Sequence, residues 1–303
     1  MSSEGFHLDV GDNHRIWVAP WGNPDGVPVV FLHGGPGGGC AASARGLFDP
    51  DRCRVIFIDQ RGAGQSRPQR ARHANTTQHL IDDIERVRQH LQIDRWLVVG
   101  GSWGATLGLA YAQAHPLRVS GLVLRATFLG TQAELVWAFD TALAAFHPDL
   151  HAALYAVLTE AERAAPVTAL WQRILDPDPA VHATSVRAFY RAERALSELV
   201  PAPPNPDLET VPLPTSPFIE AHYFLNNCFL APGALLRGAP ALAGIPGILV
   251  QARLDLLCPP TMSHRLGTRW PSAQVRMVEA AGHSVNHPQI FAAVRQAVAD
   301  LTV

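Results

Sequence analysis

The sequence predicts an α/β architecture: a mostly parallel sheet flanked by helices and interrupted by an inserted helical cap. Three observations carry this. Short apolar runs ending in or near glycine recur through the first half of the chain. Helical periodicity fills the gaps between them. A long block of helices without strands then intervenes before the alternation resumes.

The runs are "VPVVFLHGG" (27–35), "RVIFIDQRG" (54–62), "RWLVVGG" (95–101) and "VSGLVLRA" (119–126). They are rich in β-branched residues and continuous rather than alternating. That pattern fits strands buried on both faces of a parallel sheet. Between the second and third, Leu80, Ile84, Val87 and Leu91 recur at helical spacing, with Thr76 or Thr77 as the cap. "WGATLGLAYAQAHP" (103–116) reads as a second helix, closed by Pro116. Strand and helix in alternation define the α/β pattern.

From about residue 128 to 237 the helical segments "QAELVWAFDTALAAF", "LHAALYAVLTEAER", "TALWQRIL" and "AVHATSVRAFYRAERALSEL" follow one another. The proline-rich "VPAPPNPDLETVPLPTSP" (200–217) reads as an ordered loop or linker, and a further helix begins near Phe218. Strands resume at "IPGILVQARLD" (245–255) and "AQVRMVEAAGH" (273–283), before a closing helix "QIFAAVRQAVADL". The expected organisation is a core of residues 1–127 and 238–303 with a cap of residues 128–237.

Composition narrows the function classes. The 303 residues carry a formal net charge of −2, lysine is absent, and no run of like charge suggests a nucleic-acid surface. The four cysteines are widely spaced, with no CxxC or Cys/His cluster, so neither zinc nor a disulfide framework is expected. No apolar stretch approaches the ~18 residues of a membrane span. The N-terminal "MSSEGFHLDVGDNHR" lacks the apolar segment of a signal peptide. The expectation is a soluble, cytoplasmic protein.

The chemistry centres on Gly100-Gly101-Ser102-Trp103-Gly104, a G-x-S-x-G sequence between a strand and a helix. In that position the flanking glycines permit a sharp turn that lifts the serine hydroxyl above the sheet, so Ser102 is the candidate nucleophile. His283, in "EAAGHS" after the last strand, is the candidate base, and Asp255, in "QARLD", would orient it. The chain order Ser, Asp, His is that of an α/β-hydrolase fold. The loop "HGGPGGG" (33–39) can aim backbone amides at a developing oxyanion, and Gly35 and Trp103 are the candidate pair. The loop lacks both a P-loop ending and a Rossmann spacing. No metal or organic cofactor is expected, and His33 is expected to shape the loop.

Glu193 is conspicuous on physical grounds, because it interrupts an apolar helical stripe of Val186, Phe189, Leu196 and Val200. A carboxylate there needs a pairing cation or a solvated cavity. Nearby arginines could supply the first.

Together "HGGPGGG", "DQRGAGQS", "GGSWGATLGLAYAQAHP", "LVLRATF", "EAHYF", "RLDLLCP" and "EAAGHS" resemble the proline iminopeptidase family of α/β-hydrolases. The resemblance implies release of an N-terminal residue, typically proline, from a small peptide or amide substrate. It implies that Glu220 of "EAHYF" and Glu193 hold the substrate's amine. It also places Arg125, Phe128, Phe224 and Cys258 around the substrate. The tryptophan that usually precedes the second glutamate is Ala192 here, and a usual glycine and tyrosine are Ala252 and Leu254. Two alternatives stay open: hydrolysis of an ester, lactone or amide of a specialised metabolite, and a ligand receptor on a hydrolase fold.

Overall fold

The computed structural model describes residues 5–200 and 211–302. Eight strands form one sheet: β1 (Phe6–Gly11), β2 (His14–Gly22), β3 (Val27–Leu32), β4 (Cys53–Asp59), β5 (Trp96–Ser102), β6 (Val119–Thr127), β7 (Gly247–Ala252) and β8 (Ala273–Val278). Their order across the sheet is β1-β2-β4-β3-β5-β6-β7-β8. β2 runs antiparallel to β1 and β4, and every other pairing is parallel.

The central strands sit where their continuous apolar runs require. In β5 every residue before Ser102 is buried. β1 and β2 were not among the expected strands. They lie at and next to the sheet edge with alternating burial, so their sequences mix polar and apolar residues instead of forming a compact run.

Helix α1 (Thr77–His90) starts at the expected cap, where Thr76 Oγ1 accepts the His79 amide at 3.4 Å. α2 (Trp103–Ala114) follows β5 without a linker. Between β6 and β7 come α3 (Gln132–Val136), a π-helical stretch (Trp137–Ala142), α4 (Leu143–Phe146), α5 (Pro148–Ala156), α6 (Pro166–Ile174), α7 (Pro179–Ser197), α8 (Ser216–Leu225) and α9 (Ala234–Gly238). α10 (Pro260–Gly267), which the sequence pattern did not reveal, and α11 (Pro288–Leu301) complete the chain. Proline opens α5, α6, α7, α10 and α11, where its missing N–H costs no helical hydrogen bond.

α1 and α2 cover one face of the sheet, packing Leu80, Ile84, Leu107 and Leu109 on Val30, Leu32 and Val98. α11 and a 3-10 turn (Ala42–Leu47) cover the other, packing Ile290, Val294 and Leu47 on Val29, Val99 and Val250. Neighbouring residues of β3 thus serve opposite cores, which is the two-residue period of a strand. Val186, Phe189 and Leu196 are buried on α7, but Val200 is 86% exposed, beyond the helix end at Ser197. Of the proline-rich stretch, residues 201–210 lie outside the described residues.

α8 is fastened to the core. Tyr223 Oη donates to Asn75 Oδ1 at 2.7 Å, and His222 Nε2 meets the Asn75 carbonyl at 2.8 Å. The Asn75 side-chain amide in turn donates to the carbonyls of Arg61 and Ala71. The Trp103 and Tyr223 rings meet edge to face, 4.7 Å between centroids.

Candidate active site

Ser102 occupies the junction of β5 and α2 with φ 56° and ψ −122°. A non-glycine residue is rarely held there, and such strain persists only where the surroundings impose it. The turn is closed by contacts that only glycine tolerates. A Cβ on Gly104 would collide with the Leu32 carbonyl, and one on Gly100 with the Gly104 carbonyl. Trp103 is the first residue of α2, so its amide has no intrahelical acceptor.

Asp255 and His283 meet behind this turn. Asp255 lies three residues past the end of β7 and His283 five past β8, so both belong to loops at the carboxyl edge rather than to the strands. His283 Nδ1 lies 3.0 Å from each Asp255 oxygen. Asp255 Oδ1 also accepts the amides of Leu257 and Cys258 at 3.0 and 2.8 Å. Both residues are buried. Among the described residues Nδ1 is the only hydrogen-bonded atom of the His283 ring, which leaves Nε2 for another partner.

The Cys258 thiol lies near enough to Ser102 to feel its side chain. Ligand atoms of Cys258, Asp255 and His283 lie within 4.8 Å of one another. Burial and the Asp255 charge push the thiol well above its ordinary range. Cys258 is therefore a neutral wall, not a second nucleophile.

The loop after β3 reaches the same place. Gly35 has φ +110°, and the turn is tied by the Gly38 amide donating to the Gly34 carbonyl at 3.2 Å. His33 does shape it: its Nε2 accepts the Gln60 amide at 3.0 Å, while Gln60 Nε2 donates to the His33 carbonyl at 2.9 Å. Gln60 Oε1 accepts Trp103 Nε1–H at 2.8 Å. One buried glutamine thus locks the Gly35 loop to the residue after Ser102. Sequence reading gave Gln60 no role, because nothing in "DQRG" marks its partners.

Aromatic side chains of the segment between β6 and β7 pack against one another. Phe128 and Phe224 pack edge to face at 6.0 Å, and Trp171 of α6 lies 5.3 Å from Phe224 and 5.0 Å from Phe189. Trp171 was not anticipated. Its indole N–H is buried without a hydrogen-bond partner.

Glu220, on α8, is 1% exposed, and its Oε2 has no hydrogen-bond partner. Burial first, and then the Glu193 charge, push its carboxyl well above the usual carboxylate range, against one stabilising bond from Ser216. Glu193, on α7, is half-buried. Burial pushes it up to about 7, and the Arg194 charge opposes this only in part. Among the described residues no arginine lies within ion-pair distance of Glu193, so the expected salt-bridge alternative is not what the structure contains. Arg125 makes no ion pair with either glutamate among the described residues. Its Nη1 donates to the His283 carbonyl, and its charge acts on Asp255 and Cys258.

The sheet order, the strained serine turn and the His–Asp pair at the carboxyl edge define an α/β-hydrolase, and the family model described as "alpha/beta hydrolase fold" matches residues 27–288. Within that class the chain belongs to the proline iminopeptidase family. It is 40% identical over 296 residues to "Proline iminopeptidase" of Arabidopsis thaliana, covering 94% of this chain and 76% of that one. It is 40% identical over 297 residues to "Proline iminopeptidase" of Neisseria meningitidis serogroup B, covering 97% and 95%. The solved proline iminopeptidase of Mycobacterium smegmatis shares the fold at TM-score 0.66 and 22% identity, with 99% of both chains covered. Among the described residues no helix is long and apolar enough to cross a membrane.

Proposed function

We propose that this chain is a serine aminopeptidase that releases an N-terminal proline from short peptides or amides, acting in the cytoplasm. The observation that carries the reading is the pairing of a buried Glu220 with a half-buried Glu193. Glu220 presents an oxygen with no protein partner, and Glu193 stands near enough to raise its pKa. Two neighbouring carboxyls with no ion-paired cation among the described residues are costly to ionise, and a substrate ammonium would relieve them. A pocket built this way selects chains with a free, charged N-terminus.

The remaining roles follow from the geometry. The helical segment 128–237 caps the site and brings Glu193, Glu220 and Phe224, while Phe128 at its border packs on Phe224 to wall the proline ring. Ser102 attacks the carbonyl carbon, and its proton passes to His283 Nε2. Asp255 holds the Nδ1 tautomer and stabilises the imidazolium. The amides of Gly35 and Trp103 receive the oxyanion. His283 then protonates the leaving amine, and water, activated by the same imidazole, releases proline from Ser102.

The test compares hydrolysis of proline p-nitroanilide with its N-acetylated counterpart, using Ser102→Ala as the blank. Turnover of the free-amine form alone is expected. Turnover of both at similar rates would remove the amine-recognition role. Failure on both, with cleavage of a p-nitrophenyl ester, would move the substrate to the ester class.

A further inference from the structure

Below the nucleophile turn, on the α11 side of the sheet, lies a cavity of about 170 Å³. Its walls include Leu47, Val99, Phe291 and Val294, and it reaches Gly34, Gly101 and Arg125. Apolar cavities of comparable size take up a benzene-sized group.

Arg125 is the charged group of this space. It lies deep among protein atoms yet retains accessible surface, because the cavity reaches it. Its Nη1 is used by the His283 carbonyl. Among the described residues its Nε and Nη2 have no acceptor, and neither atom is sealed from solvent-sized space. No carboxylate of the described residues lies within ion-pair distance, and Asp255 acts on it only through space. Burial accordingly pulls its pKa down. Gly101 leaves room for the guanidinium: a Cβ there would fall 2.6 Å from Nη2 and 2.7 Å from Nε.

A deep cation with unused donors and no direct counter-ion calls for an anion. The two free nitrogens are the edge of a planar fork that matches a carboxylate in bidentate fashion. We propose that this cavity binds a small organic carboxylate, its oxygens on Arg125 Nε and Nη2 and an apolar group of about four to six carbons between Leu47, Val99 and Phe291. The site does not depend on the proline reading. Its occupant would bear on His283 through the same guanidinium. Two sources share the chemistry: the free carboxylate of a dipeptide substrate's second residue, and a separate carboxylate molecule.

The probes are 4-methylpentanoate and its neutral partner 4-methylpentanamide, titrated calorimetrically into the full chain near pH 7. The acid is expected to bind at least tenfold more tightly than the amide. Ala44→Leu, which fills the cavity from the 3-10 turn without altering the guanidinium, should weaken the acid at least tenfold. Arg125→Met should do the same. Equal affinity for acid and amide, no binding of the acid, or undiminished binding by Ala44→Leu would each overturn the proposal. These readouts need no turnover, so they stand or fall apart from the aminopeptidase assignment. Inhibition then assigns the source. Competition with Pro-Leu but not with its C-terminal amide marks the substrate's own carboxylate, and equal inhibition of both marks a separate one.

Discussion

The carbonyl of Ser197, the last residue of α7, accepts the amide N–H of Ser284 at 2.9 Å. Ser284 follows His283, and Ser197 Oγ donates to the carbonyl of Glu193 one turn back at 2.8 Å. Beside this bond, His287 Nε2 lies 3.5 Å from Glu198 Oε2. The helix that carries one amine-recognising candidate is thus joined to the loop that carries the candidate base. Gly282 sits against the joint, where an added Cβ would meet His287 Nε2 at 3.3 Å and the Ser197 carbonyl at 3.4 Å. Gly282→Ala should push the loop off α7 by a few tenths of an ångström. We expect kcat to fall by roughly three- to tenfold with KM little changed, since small misplacement of a catalytic group is costly. Steady-state kinetics of a folded Gly282→Ala with unchanged kcat would refute the coupling.

The backbone at Ser102 makes a separate prediction about stability. Ser102→Ala should abolish turnover by at least ~10³-fold while unfolding close to the parent, because alanine inherits the same positive φ. Ser102→Gly should be equally inactive but more stable by about 1 kcal/mol, as glycine adopts that conformation without strain. Thermal unfolding of the three proteins decides it. A glycine variant no more stable than the alanine one would mean the turn stores no strain.

The raised carboxyls set opposite pH trends for stability and for binding. Glu193 has an ordinary value of 4.5 and is pushed up to about 7 in the fold. The folded state then binds a proton that the unfolded state has released. Its contribution to stability is full below about pH 4.5 and is lost as pH rises through about 7. Binding of an ammonium needs the ionised form, so kcat/KM for a free-amine substrate should rise over the same interval. Glu193→Gln should remove this limb from the pH profile and flatten the stability curve. Profiles unchanged by the substitution would show that Glu193 titrates elsewhere.

Asn75 should matter more to the fold than its place in a loop suggests. Asn75→Ala would strand the buried Tyr223 hydroxyl and the carbonyls of Arg61 and Ala71. A loss of roughly 2–3 kcal/mol is expected, of the size measured when buried polar groups lose their partners. Denaturant unfolding would measure it, and a loss below about 0.5 kcal/mol would show that α8 is held by packing alone.

The residues that could be found from sequence were those whose chemistry is written locally. Ser102 announces itself through its glycines, and β3 to β6 through runs that had to be buried on both faces. Asp255 and His283 meet as a hydrogen-bonded pair, although the strands before them end earlier than their apolar runs suggest. Gln60, Asn75, Ser197 and Trp171 were not legible, because each acts across a long separation in the chain and none belongs to a distinctive local pattern. Glu193 was noticed for the right physical reason, a carboxylate on an apolar stripe. The exposed Val200 did not belong to that stripe, since α7 ends three residues before it. The bond from Arg125 to the His283 carbonyl has no local sequence signal, since 158 residues separate the two.

The fastening of α8 has one more consequence. Trp103, next to the serine, touches Tyr223, and Tyr223 shares a helix with Glu220 three residues before it. Glu220 and Ser102, the proposed partner for the amine and the proposed nucleophile, are therefore mounted on one frame through Tyr223, Asn75 and Trp103. On the proposed reading that frame is a ruler. Its span is fixed before any peptide arrives, and a chain end seated against it presents its first peptide bond and no other. The enzyme would count to one by geometry, and loosening the frame should show itself as lost register before it shows as lost chemistry.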